Sequence, residues 1–188
     1  PEKLKIKDMT PNEKELLIKS DTFCMLPWQH IHAFPDGRAY PCCFSLDKYP
    51  VGDLNKDSME TVFNGADMKQ MRLNMLANKA SKQCTKCYDQ EESGFFSLRL
   101  SSNKHFGHNI GMVENTQADG SADFVIKYWD IRFSNLCNLA CRSCGTWFSS
   151  NWYEDHKKLT GKPPEHAKIL KVGRSSNDIW EQMLEQFE

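Results

Sequence analysis

The stretch Trp28–Cys43, WQHIHAFPDGRAYPCC, has the pattern of a β-hairpin. The side chains of WQHIHAF alternate along the chain as in a strand, and Pro35-Asp36-Gly37 is a turn sequence. The second strand resumes as RAYPCC. Cys24 therefore precedes the hairpin and Cys42 closes it.

Helical patterns lie on both sides of the hairpin. Thr10-Pro11 has the N-cap and the first-turn proline of a short helix. Asp57–Glu60 has the pattern of a capping box, and the Met-rich apolar stripe that follows predicts a helix running up to Cys84. Residues 88–100 are compatible with a further helix, although the glycine within them is unfavourable there.

A change of composition divides the chain after residue 100. Residues 101–124 are rich in Ser, Asn, Gly and Asp and have no steady apolar period, which predicts a linker or a long surface loop. This boundary separates a unit at 1–100 from a second unit at 125–188. The second unit opens with a β-prone run, Val125–Phe133, and continues with a predicted helix at Trp147–Leu159.

Charge and hydropathy exclude several classes of protein. The 188 residues carry 24 Lys and Arg against 25 Asp and Glu, so no net charge attracts nucleic acid or anionic lipid. A 39% share of hydrophobic residues is enough for a folded core. The sequence has no run of about 18 apolar residues and no signal-peptide pattern at its start. We therefore expect a soluble, cytoplasmic protein with neither a membrane nor a nucleic acid as partner.

Eight cysteines are the most informative part of the composition. Reducing compartments do not maintain disulfides, so a cytosolic chain with this many cysteines is expected to use them for metal binding. They occur in short spacings typical of metal sites, at Cys24, Cys42, Cys43, Cys84, Cys87, Cys137, Cys141 and Cys144.

The last three cysteines form a C-x3-C-x2-C motif directly after the predicted strand, at Cys137, Cys141 and Cys144. Three thiolates leave one iron of a [4Fe-4S] cluster open to a substrate or a cofactor. Structural zinc requires four closed ligands, usually as C-x2-C pairs. The motif therefore favours an iron-sulfur cluster over zinc.

This motif at the end of a first barrel strand resembles that of the radical S-adenosylmethionine (SAM) superfamily. The resemblance implies an α/β fold that contains the N-terminal part of a partial (β/α)6 barrel. It implies that Cys137, Cys141 and Cys144 bind the cluster and that SAM chelates the open iron. Electron transfer would then cleave SAM to methionine and a 5′-deoxyadenosyl radical, which abstracts a hydrogen atom. One departure is Ser143, where the family often has an aromatic residue near the adenine.

The earlier cysteines are similar to those of the SPASM auxiliary-cluster domain. Cys24-x12-Gly37-x4-Cys42 fits its first half, and Cys84-x2-Cys87 fits the start of its second half. Ser93 and Ser97 stand where the next two cysteines would fall. The shortened twitch variant, a small α+β domain with one auxiliary [4Fe-4S] cluster, is therefore the better match. In most relatives this module follows the barrel, whereas here it precedes it.

The resemblance implies Cys24, Cys42, Cys84 and Cys87 as the four auxiliary ligands. Cys43 is an alternative to Cys42, because adjacent strand residues point to opposite faces. A structural zinc ribbon remains a second interpretation, since Cys84-x2-Cys87 is equally suitable for zinc. His30 and His32 are expected to be exposed or hydrogen-bonded residues rather than ligands.

The relatives also indicate partners and completeness. A peptide or protein substrate and an electron donor such as a flavodoxin or ferredoxin are implied. The rival hypothesis is a non-catalytic, metal-stabilised interaction module. About 64 residues follow the predicted linker, whereas a six-unit barrel needs about 180. The second, glycine-rich SAM-binding motif of the family is also missing, so we expect the front part of a longer enzyme, inactive alone.

Overall fold

A small mixed sheet organises the fold. The computed structural model describes residues 9–173 and 176–186. In the described chain, strand β1 (His30–Ala33) pairs antiparallel with β2 (Arg38–Tyr40) and parallel with β4 (Tyr128–Ile131), and β2 pairs antiparallel with β3 (Gly52–Asp53). The strand order is therefore β3-β2-β1-β4.

Helices and helical turns surround the sheet. The α-helices are α1 (Pro11–Lys14), α2 (Met59–Phe63), α3 (Ala66–Leu76), α4 (Thr85–Glu92), α5 (Leu98–Phe106), α6 (Gly111–Glu114), α7 (Trp152–Thr160) and α8 (Ser176–Leu184). A π-helical turn follows α1 at Glu15–Lys19, and 3-10 turns occupy Leu26–Trp28, Lys82–Cys84 and Gly107–Asn109.

The predicted hairpin is confirmed. The Phe34 N–H donates to Arg38 O at 2.9 Å, which closes the turn between β1 and β2. Gly37 has a φ of 93°, and a Cβ at this position would lie 2.2 Å from the amide nitrogen of Asn55. The turn therefore requires glycine for both its conformation and the space beside it.

The helix start predicted at Thr10-Pro11 is confirmed, because Thr10 caps α1 in a capping box with Glu13. The capping box predicted at Asp57–Glu60 is wrong: Ser58 is the N-cap of α2 and accepts from the Thr61 backbone N–H. The Met-rich stripe forms α3, with Met68, Met71 and Met75 buried in the core, but α3 ends at Leu76 and does not run up to Cys84.

The single helix expected over 88–100 is instead two helices. The first ends at Glu92, Gly94 follows with a φ of 80°, and α5 begins after its cap at Ser97. A positive φ cannot continue an α-helix, so the glycine turns the chain between α4 and α5.

Residues 101–124, expected to form a linker or surface loop, contain the remainder of α5, a 3-10 turn and α6. Ile110, Val113 and Ala122 of this segment belong to the core cluster that includes residues of β1. Parallel pairing then places Tyr128 of β4 opposite His30 of β1. The composition of the segment did not indicate these contacts, because the segment is polar overall and only isolated apolar side chains reach the core.

The fold is thus a mixed α/β structure, and the four strands of the described residues do not close into a barrel. None of the helices in the described part of the chain combines the length and the apolar character needed to cross a membrane.

Arg72 of α3 is a fully buried cation that ties three parts of the core together. Its guanidinium donates to the backbone oxygens of Pro27, Phe63 and Gly120 at 2.8–3.1 Å and to the side-chain oxygen of Asn64 at 3.0 Å. Removing this side chain would leave buried acceptors without donors, and each of these is costly.

We expect Arg72→Met to lower the free energy of unfolding by about 3 kcal/mol, because buried acceptors lose their donors. Anaerobic urea unfolding followed by circular dichroism measures the change. The exposed Lys79→Met on the turn after α3 serves as control and is expected to change stability by less than about 0.5 kcal/mol. Equal stability of the two variants would contradict this role of Arg72.

Candidate metal centre

Four cysteines meet at the end of the hairpin beside α4. Cys24 precedes the 3-10 turn that leads into β1, and Cys42 follows β2. Cys84 ends the turn before α4, and Cys87 lies in the first turn of that helix. Cys24 interacts electrostatically with the other three thiols, and Cys84 interacts with both Cys42 and Cys87. The fold thus brings together two pairs that are about forty residues apart in sequence.

Burial dominates the chemistry of these thiols. It raises the pKa of Cys42 to about 11 and raises the pKa values of Cys24, Cys84 and Cys87 above the ordinary value. Charge repulsion from other thiols adds to the rise for Cys24, Cys42 and Cys84. For Cys87, the charge of Glu91 adds to the rise. Four thiolates in one buried site therefore need a compensating positive charge. Thiolates are the ligands of iron-sulfur clusters and of structural zinc, so this donor set fits either.

Each of the four sulfurs has a hydrogen-bonding group nearby. Backbone groups of Leu26 and Phe44 lower the pKa values of Cys24 and Cys42 against the effect of burial. The Ser45 hydroxyl lies 3.8 Å from Cys42 Sγ. The Tyr88 side chain likewise lowers the pKa of Cys84 against the effect of burial. Hydrogen bonds of this kind stabilise thiolates and tune the potential of a bound cluster.

Cys43 faces away from the four-thiol group. It is exposed, and the charges that act on its thiol are those of Asp130 and Arg132 near β4. Cys42, by contrast, interacts with Cys87. The geometry therefore favours Cys42 over Cys43 as the fourth thiol of the group.

The two serines at the positions of missing cysteines have structural roles. Ser97 Oγ accepts from the Leu100 N–H at 3.2 Å as the N-cap of α5, and it donates to the carboxylate of Glu91. Ser93 ends α4 through its N–H bonded to Asp89 O. Neither position supplies a thiol, which agrees with a domain shortened relative to the full motif.

The C-x3-C-x2-C segment forms a loop that begins directly after β4. The completely buried Asn135 closes this loop. Its side-chain amide donates to Thr146 O at 3.0 Å and to Lys168 O at 3.1 Å. Its backbone carbonyl accepts from the Ser150 N–H. Ser149 Oγ donates across the loop to Leu139 O at 2.7 Å. The ends of the cysteine loop are therefore fixed by buried hydrogen bonds.

Taken together, the three thiols of this loop are more accessible than the thiols of the four-thiol group. Cys141 is exposed, and Cys137 and Cys144 are half-buried. Cys137 Sγ accepts from the Leu139 N–H at 3.4 Å, and the Cys144 N–H donates to Cys141 O at 3.0 Å. Neither this loop, nor the four-thiol group, nor any other set of three or more His, Cys, Asp or Glu side chains in the described ranges is arranged to hold a metal ion.

His30 and His32 are buried rather than exposed, and both are hydrogen-bonded as the sequence analysis allowed. Nδ1 of His30 donates to Tyr128 O, and Nδ1 of His32 donates to the Asp130 carboxylate, each at 2.8 Å. Burial lowers the pKa of His30 to about 4 and also lowers the pKa of His32. Within the described chain the Nε2 atoms of both have no hydrogen-bond partner. These histidines join β1 to β4.

Sequence reasoning missed the charged residues beside the four-thiol group. Arg99 is buried and pairs with Glu91, and its charge acts on Cys84 and Cys87. Glu91 and Arg99 are eight residues apart and lie on either side of the turn between α4 and α5, so they do not share the spacing of neighbours on one helix.

The adjacent cysteines give an internal test of this geometry. In protein purified without iron, we expect iodoacetamide at pH 8 to modify Cys43 at least about tenfold faster than Cys42, because Cys42 is the more buried thiol and each pKa unit changes the thiolate fraction about tenfold. Fragmentation mass spectrometry of the shared peptide measures both rates. Faster modification of Cys42 would contradict the assigned orientation.

Comparison with known proteins bears on the first four thiols. Residues 24–88 match the SPASM family, described as an iron-sulfur cluster-binding domain. The matched range starts at Cys24 and ends one residue after Cys87, so it contains all four thiols. No curated protein and no solved structure matches the chain significantly. Residues 24–88 are thus similar to the SPASM iron-sulfur cluster-binding domain.

Proposed function

We propose that this chain belongs to a radical SAM enzyme with one auxiliary [4Fe-4S] cluster in its SPASM domain. The auxiliary cluster is bound by Cys24, Cys42, Cys84 and Cys87. A second [4Fe-4S] cluster is bound by Cys137, Cys141 and Cys144. The observation that carries the proposal is a three-thiol loop with no fourth cysteine, placed after a parallel strand in a chain that also contains a SPASM domain.

The chain contributes a fixed loop with accessible thiols. Asn135 holds the two ends of the loop together, which presents Cys137, Cys141 and Cys144 at the end of β4. Cys137, Cys141 and Cys144 would hold the cluster, which, when reduced by an external donor, would supply the electron for cleavage of SAM to methionine and a 5′-deoxyadenosyl radical. The indole N–H of Trp152 donates to Cys141 O at 3.1 Å and ties the loop to α7.

The pairing of β1 with β4 relates the two groups of thiols. Cys24 precedes β1 and the three-thiol loop follows β4, so the parallel pairing places the two groups toward opposite ends of the strand pair. The proposed substrate is a peptide or protein side chain, and the proposed electron donor is a flavodoxin or ferredoxin of the cytoplasm. No nucleic acid is proposed as partner, because the net charge of the chain is -1.

Metal content and SAM binding test this proposal together. After anaerobic purification and reconstitution we expect about eight irons per chain and little zinc, since two [4Fe-4S] clusters hold four irons each. Electron paramagnetic resonance of the reduced protein is expected to change on addition of SAM, because SAM reaches only the cluster with an open iron.

Two cysteine variants make the assignment specific. Cys141→Ala is expected to reduce the iron content to about four per chain and to abolish the response to SAM, while Cys43→Ala retains about eight irons. An unchanged SAM response in Cys141→Ala would contradict the radical SAM assignment. Zinc with little iron in the unaltered chain would indicate a structural metal module instead.

A further inference from the structure

We propose that α5 is part of the auxiliary-cluster site, although it lies outside the residues that match the SPASM family. Arg99 and Asn103 position Cys24, and the Arg99–Glu91 ion pair sets the charge beside the cluster and hence its reduction potential. The inference rests on the auxiliary cluster of the proposed function. It adds residues of a segment that the sequence alone divides between a helix and a linker.

The first observation is a clamp on both peptide groups that flank Cys24. Arg99 Nη1 and Asn103 Nδ2 each donate to Phe23 O at 2.9 Å, and the Met25 N–H donates to Asn103 Oδ1 at 2.9 Å. Arg99 and Asn103 are only 4% and 5% exposed. Because both neighbours of Cys24 are fixed by side chains of one helix, the position of its sulfur depends on α5.

The second observation is the contact of α5 with Cys87. Leu98 and Arg99, the first residues of the helix, act on the Cys87 thiol through their backbone groups. Ser97 caps this end of α5. Unpaired N–H groups at a helix start carry partial positive charge, which favours a thiolate at this position. Side chains of this nine-residue helix therefore hold both peptide groups beside Cys24, and the start of the same helix acts on Cys87.

The third observation is a buried charge pair next to the thiols. Arg99 Nε donates to Glu91 Oε1 at 2.9 Å, and Nη2 donates to the other carboxylate oxygen. Arg99 acts electrostatically on Cys24, Cys84 and Cys87, and Glu91 acts on Cys87. Solvent screens such charges weakly, since the side chains of Arg99 and Glu91 are 4% and 19% exposed.

These charges have opposite effects on reduction of a cluster. Reduction adds one negative charge, so the Arg99 cation stabilises the reduced form and raises the reduction potential. The Glu91 carboxylate destabilises the reduced form and lowers the potential for the same reason. Glu91 thus offsets Arg99, and the potential depends on both members of the pair.

Redox titration of the auxiliary cluster alone tests this inference. The full chain with Cys137→Ala, Cys141→Ala and Cys144→Ala retains only that cluster, and electron paramagnetic resonance follows its reduction. We expect Glu91→Gln to shift the midpoint potential upward, because the isosteric amide keeps an acceptor for Arg99 and loses the negative charge. Arg99→Gln is expected to shift it downward and to lower cluster retention.

The matched control is Lys104→Gln, which removes one positive charge from the exposed face of the same helix. Its midpoint potential is expected to equal that of the unaltered background, because solvent screens the charge. An unchanged potential in Glu91→Gln, or a shift no larger than that of Lys104→Gln, would overturn the inference while the cluster remains bound. Failure of the background protein to bind iron would overturn the auxiliary cluster itself and the inference with it.

Discussion

The convergence of four cysteine thiols in one buried site is the constraint on which the structure depends. The hairpin turn at Gly37 brings the chain after β2 back to the segment that precedes β1, which places Cys42 beside Cys24. The turn before α4 then adds Cys84 and Cys87. Burial opposes ionisation of all four thiols, so the site is favourable for thiolates only with a bound positive charge. The SPASM family, which residues 24–88 match, is an iron-sulfur cluster-binding domain with that chemistry.

The parallel pairing of β4 with β1 connects this domain to the rest of the chain. This pairing is the strand contact that connects the segment of the three-thiol loop to the segment of the four-thiol group. Its ends are reinforced by the buried histidines, since His30 and His32 donate to Tyr128 O and the Asp130 carboxylate. The segments that contain both sets of thiols are therefore connected to one sheet. Along the chain, α5 lies between the first set and β4.

Much of this arrangement could be predicted from local sequence. The hairpin, the cap of α1 and the buried methionines of α3 follow from turn residues and periodicity, and each is confirmed. The start of α5 was harder to find, because Gly94 interrupts the helical pattern and the helix itself is largely polar. Parallel pairing of β4 with β1 joins residues 98 positions apart, and no local pattern encodes such a contact.

The sequence indicated which thiols the structure brings near one another, but not the residues that surround them. Cysteine spacing identified the four thiols, because motif spacing depends on local geometry. The choice of Cys42 over Cys43 needed the structure, since it depends on which way the end of β2 turns. Arg99, Asn103 and Glu91 carry no motif, and their role follows only from packing across the turn between α4 and α5.

An anomalous difference map at the iron edge, from crystals grown anaerobically, tests the central claim most directly. The account predicts a peak bounded by the sulfurs of Cys24, Cys42, Cys84 and Cys87, with α5 against it and the Cys43 thiol facing away. A peak coordinated by Cys43 in place of Cys42, or a signal at the zinc edge and none at the iron edge, would contradict it.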